Sequence, residues 1–81
     1  MGYEIIWTGP ALLDFEAIVR YWDRRSPNAA EIVRSGILKR AEGLASFPLS
    51  GSLYRPAAPR QIRETVWRSY RIFYRVAEDA R

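Results

Sequence analysis

Apolar residues recur three or four positions apart at Leu12, Phe15, Val19 and Trp22, while Asp14, Glu16, Arg20 and Asp23 fall off that stripe. This is the repeat of an amphipathic helix. Its start is marked by Thr8, whose hydroxyl can accept from a free N–H, and by Pro10, placed where a missing N–H costs nothing. The same signals return at once: Ser26 as a cap, Pro27 at the first helical position, then Ala30, Val33, Ile37, Ala41 and Leu44 at helical spacing. The few residues between the two stripes predict an antiparallel αα-hairpin. Ahead of the first helix, Tyr3-Glu4-Ile5-Ile6-Trp7 is a short β-rich run and predicts a strand. Phe47-Pro48 closes the second helix. Residues 48–59, rich in Pro, Gly, Ser and Ala, predict a loop pinned by Leu49, Leu53 and Tyr54.

The period then changes to two. Ile62, Glu64 and Val66 share one face of a strand, and Arg63, Thr65 and Trp67 the other. After a reversal at Arg68-Ser69, Tyr70, Ile72, Tyr74 and Val76 form an apolar face opposite Arg71, Phe73 and Arg75. The predicted order is β-α-α-β-β, an α+β domain with the αα-hairpin packed on a small antiparallel sheet. Glu78-Asp79 reads as the start of another turn. A chain of 81 residues makes a single domain, 1–81. At that size about 60% of the unfolded surface is buried, so stability is marginal without a partner.

Composition removes whole classes of chemistry. The chain has no cysteine and no histidine. It therefore lacks a thiolate nucleophile, a disulfide framework, and the commonest general base and metal ligand. No glycine-rich phosphate loop or paired catalytic carboxylates occur, and neither cofactor nor metal is expected. No apolar run reaches the roughly eighteen residues of a membrane span, and no signal peptide is visible, so a cytoplasmic protein is expected.

Charge changes the picture once it is located. Residues 1–54 balance, whereas residues 55–81 carry seven arginines against Glu64, Glu78 and Asp79, and so hold the whole formal charge of +4. Every basic residue except Lys39 is arginine, the side chain suited to bidentate contact with carboxylate or phosphate.

Four segments in order, YEIIWTGPALLDFEAI, YWDRRSPNAAEIV, LASFPLSG and IRETVWRSYRIFYRV, resemble the RelE/ParE family of small toxins from bacterial type II toxin–antitoxin modules. The resemblance covers nearly the whole chain, and its most specific part is Tyr-Arg-Ile-Phe-Tyr-Arg-Val. Members of this family usually carry one more strand and a short basic tail after such an Arg-Val turn. The chain reaches Arg81 where that strand should begin, so a C-terminally short member is expected, with an unpaired sheet edge that favours strand addition or self-association.

The resemblance implies roles for particular residues. The ribonuclease (RelE) branch places a phosphate-contacting arginine where Arg71 stands and a basic residue where Arg63 stands; these two would be its catalytic candidates, gripping one phosphate from a shared face. Thr65 stands where that branch prefers a second cation, and it cannot neutralise a developing phosphorane charge. Lys39, the sole lysine, is on a helix. Tyr70 and Tyr74 are read as packing groups rather than acids or bases.

The ParE branch fits better. It implies a toxin that inhibits DNA gyrase by protein–protein contact, is neutralised by an acidic cognate antitoxin in a hetero-oligomer, and acts in stress response. Arg63, Trp67, Arg68, Arg71 and Arg75 are then the partner-binding candidates, with Trp67 as the exposed aromatic anchor. Two alternatives remain open at this point: a RelE-like mRNA endonuclease working with or without the ribosome, and a shortened binding module without toxicity.

Overall fold

Among the described residues, two helices come first along the chain and three strands after them. A computed structural model describes residues 3–55 and 61–77, with Arg55 described by its backbone alone. Helix α1 is Gly9–Asp23 and helix α2 is Pro27–Ser46. Strands β1, β2 and β3 are Ser52–Arg55, Ile62–Trp67 and Tyr70–Tyr74. They form one antiparallel sheet in the order β1-β2-β3. The protein is α+β. The expected turn at Glu78-Asp79 lies outside the described residues.

Two compact units can be distinguished. The first, Ile6–Lys39, holds α1 and most of α2. Thr8 caps α1, its Oγ1 accepting from the Ala11 N–H at 3.2 Å. Ser26 repeats the device for α2, accepting from the Ala29 N–H at 3.3 Å. Only residues 24–26 separate the helices; the N–H groups of Arg25 and Ser26 both donate to the Trp22 carbonyl and end α1. The inward side of α1 runs through Ala11, Phe15, Ile18, Val19 and Trp22, all half-buried. Leu12, expected on that stripe, is exposed; Ala11, one residue earlier, takes its place in the repeat that continues through Phe15, Ile18 and Trp22. The Trp7 ring packs on Phe15 with centroids 5.3 Å apart.

Along α2 the predicted stripe and the buried residues coincide. Ala30, Val33, Ile37, Ala41 and Leu44 are all buried, none more than 7% exposed. The last two belong to the second unit, with the chain's N-terminal segment and the sheet. The strand predicted at residues 3–7 does not form. Instead the Tyr3 N–H donates to the Ala45 carbonyl at 2.8 Å, tying the segment to the end of α2.

The first strand is found instead inside the predicted loop. Ser52 pairs with Glu64, Leu53 with Arg63 and Arg55 with Ile62, so Tyr54 is an extra residue on β1. Such a bulge bends a strand and re-aims a side chain. Four residues with an interrupted register leave too little alternation to read from sequence.

A fixed knot holds the turn before β1. The Tyr74 hydroxyl donates to the Pro48 carbonyl at 2.7 Å and accepts from the Gly51 N–H at 2.9 Å. A Cβ on Gly51 would lie 2.5 Å from that hydroxyl and 2.7 Å from the Glu64 carbonyl oxygen, so only glycine fits.

Candidate partner-binding face of the sheet

The β2–β3 register decides which candidate residues can act together. A two-residue turn makes Trp67 and Tyr70 partners, and from there Val66 pairs with Arg71, Thr65 with Ile72, Glu64 with Phe73 and Arg63 with Tyr74. Paired residues point to the same side of a sheet. Arg63, Thr65, Trp67, Tyr70, Ile72 and Tyr74 therefore share one face, where every one of them is half-buried. Glu64, Val66, Arg71 and Phe73 share the other, which is largely open.

This corrects the expectation that Arg63 and Arg71 grip a ligand together. They lie on opposite faces. Arg63 serves the fold: its Nη1 donates to the Gly51 carbonyl at 2.8 Å and reaches the Leu49 carbonyl at 3.4 Å, bracing the turn that Tyr74 also holds. Tyr74 is indeed a packing and hydrogen-bonding group, its hydroxyl engaged on both sides.

Arg71 is built into the open face. Its Nε donates to Glu64 Oε2 at 2.7 Å and its Nη2 to Oε1 at 3.0 Å, a two-point pair across neighbouring strands. That hydrogen bonding, assisted by the opposite charge and opposed by desolvation, holds the Glu64 carboxyl below the usual carboxylate range. The same bond raises the Arg71 pKa further. The guanidinium lies 5.0 Å from the Phe73 ring centroid and 5.8 Å from that of Tyr54. Tyr54 and Phe73, on the two outer strands of the described sheet, meet edge to face at 4.8 Å. Tyr54 stands two residues from Ser52, whose partner Glu64 is itself paired with Phe73, so both rings belong to the open face.

Both of these aromatics are exposed. Tyr54 is 52% and Phe73 47% exposed, beside Val66 at 45%. Trp67, expected to be the free anchor, is half-buried, stacked on Tyr70 and covered by the Arg68 guanidinium 4.6 Å from its ring centroid. Alternation already placed Phe73 beside Arg71; Tyr54 escaped the sequence reading because its strand and bulge did. Arg68 sits at the hairpin tip with φ 57°. A positive φ at the first central residue is usual for glycine in such turns. Arg75, also exposed, follows β3 directly.

The arrangement suits contact better than proton transfer. The carboxylate of Glu64 is engaged at both oxygens and held at low pKa, which makes it a weak base. Thr65 lies on the face away from Arg71. Exposed Tyr, Phe and Arg around an ion pair have the composition of an interface centre.

A small α+β domain with an open arginine–aromatic sheet face is thus defined, and its sequence gives the family. The ParE toxin of the type II toxin–antitoxin system, parDE, matches over residues 5–81. The chain belongs to this family: it is a toxin of the type II toxin–antitoxin class, and membership implies an antitoxin partner. No curated protein and no solved structure matches the chain. Among the described residues, no helix is long and apolar enough to cross a membrane.

Proposed function

We propose that the chain inhibits DNA gyrase by protein–protein contact through the open face of its sheet, and that a cognate antitoxin neutralises it. Membership of the ParE toxin family supports the module type. The observation that carries a binding mechanism is the Arg71–Glu64 pair on the Tyr54–Phe73 platform, a pre-ordered contact surface whose carboxylate is engaged at both oxygens. Arg71, Phe73 and Tyr54 are its proposed centre, with Arg68 and Arg75 at its margin. Trp67 and Arg63 act from behind, as supports. The RelE-like endonuclease reading loses its main geometric argument with Arg63 and Arg71 on opposite faces.

Two assays on purified protein test this. Gyrase supercoiling of relaxed plasmid should fall as the toxin is added and recover when the cognate antitoxin is present. Primer extension on mRNA, with and without ribosomes, should show no discrete cuts. Unimpaired supercoiling at saturating toxin contradicts the proposal, as do cuts that vanish in Arg71→Ala.

A further inference from the structure

We propose that the open sheet face is a docking site for an extended peptide segment in which a carboxylate side chain and an aromatic or large aliphatic side chain stand two residues apart. The carboxylate is received by Arg71 and the apolar side chain by Phe73 and Tyr54. Glu64 acts as a positioning residue for Arg71. The inference concerns the chemistry of this face and stands apart from which protein supplies the segment.

Four features of the face select this occupant. Glu64 takes the Nε–Nη2 edge of the guanidinium, and Nη1 makes no hydrogen bond among the described residues, which leaves the Nη1–Nη2 edge for a second planar acceptor. Arginine accepts carboxylates in this two-point manner, and the rings beneath hold the plane in place. Arg71 and Phe73 are two residues apart on one strand, a spacing of about 6.6 Å, and an extended segment repeats its own side chains at the same interval. The size of the face also decides. Three strands of about five residues, at ~3.3 Å per residue and ~4.8 Å between strands, cover on the order of 250 Å². A stable dimer needs about 800 Å² from each partner, so the patch fits a segment better than a second copy of this chain. Glu64, only 18% exposed beside the half-exposed Arg71, places a negative charge next to the site, which disfavours a polyanion such as single-stranded nucleic acid more than one carboxylate.

The test uses the full chain and fluorescence anisotropy with a short labelled peptide repeating Glu-Ser-Phe-Ser. The proposal expects saturable binding that weakens about tenfold or more when the peptide's Glu is replaced by Gln, or when the protein carries Arg71→Ala or Phe73→Ser. Arg71→Lys should not restore it, because an ammonium cannot hold Glu64 and a second carboxylate in one plane. Glu64→Gln should weaken binding by a smaller factor while leaving the Phe73 dependence intact, the signature of positioning rather than contact. Circular dichroism on each variant confirms the fold, and Arg75→Ala serves as a charge control expected to change affinity less than Arg71→Ala. Equal affinity of Arg71→Ala and the unaltered protein overturns the proposal. So does tighter binding of an oligothymidylate than of the peptide with loss in Arg71→Ala, or a dimer in sedimentation that Phe73→Ser dissociates. Because gyrase is absent from the assay, its outcome is independent of the supercoiling result.

Discussion

At the scale of single residues, Tyr74 and Gly51 show how one contact constrains several others. The hydroxyl of Tyr74 satisfies a backbone donor and a backbone acceptor of the turn before β1, and Gly51 has no room for a side chain because that hydroxyl and the Glu64 carbonyl lie against it. Tyr74→Phe should cost about 1–3 kcal/mol in a denaturant titration, the range for leaving part-buried groups unpaired. A loss below a few tenths would show that water replaces the hydroxyl there. Arg68 makes the opposite case. Its φ of 57° suits glycine, and its guanidinium covers Trp67. Arg68→Gly should raise stability by about 0.5–1 kcal/mol if backbone strain outweighs the lost stacking, and a lower melting temperature would reverse that order.

At the scale of elements, legibility followed the regularity of the pattern. Helix α2 was readable to the residue, since its cap, its proline and its five buried positions all repeat one period. The hairpin was readable too, but alternation along each strand leaves open which faces coincide; the two-residue turn puts Trp67 and Tyr70 on one face and so separates Arg63 from Arg71. Tyr3-Glu4-Ile5-Ile6-Trp7 has β-forming residues but joins no ladder among the described residues, which propensity alone cannot reveal. β1 was hidden for the converse reason. Its pairing comes from β2, and its own four residues break step at Tyr54.

The link between β2 and β3 through Glu64 and Arg71 also sets a pH dependence. The folded Glu64 pKa lies below its unfolded value, so the pair's contribution is complete above the ordinary glutamate pKa of about 4.3 and is lost as pH falls through the lower folded value. Glu64→Gln should therefore flatten the acid limb of a melting-temperature profile without changing its shape near neutrality. A limb of unchanged slope would mean that the carboxylate is equally free in both states. Glu31, held low by Arg34 and Ser35 on α2, contributes a limb of the same sign that the Glu64 variant retains.

At the scale of the whole molecule, charge and fold divide the labour. The first 54 residues are electrically balanced and supply both helices, while the arginines concentrate after them, with Arg63, Arg68, Arg71 and Arg75 on or next to the β2–β3 hairpin. The family was legible because four motifs recur in order, and the match over residues 5–81 accords with that reading. Which arginine braces the turn and which stands on the open face was not legible, because that depends on strand pairing rather than on the motif itself. The division between Arg63 and Arg71 is therefore the central claim, and paired substitution tests it most directly. Arg71→Ala and Arg63→Ala would each be measured for thermal stability and for inhibition of gyrase supercoiling at matched folded concentration. The account predicts that Arg71→Ala loses no more than about 1 kcal/mol of stability, the range of a surface ion pair, yet weakens inhibition at least tenfold, whereas Arg63→Ala loses about 1–3 kcal/mol of stability and inhibits normally while folded. Normal inhibition by a folded Arg71→Ala, with inhibition lost in an equally folded Arg63→Ala, would contradict it.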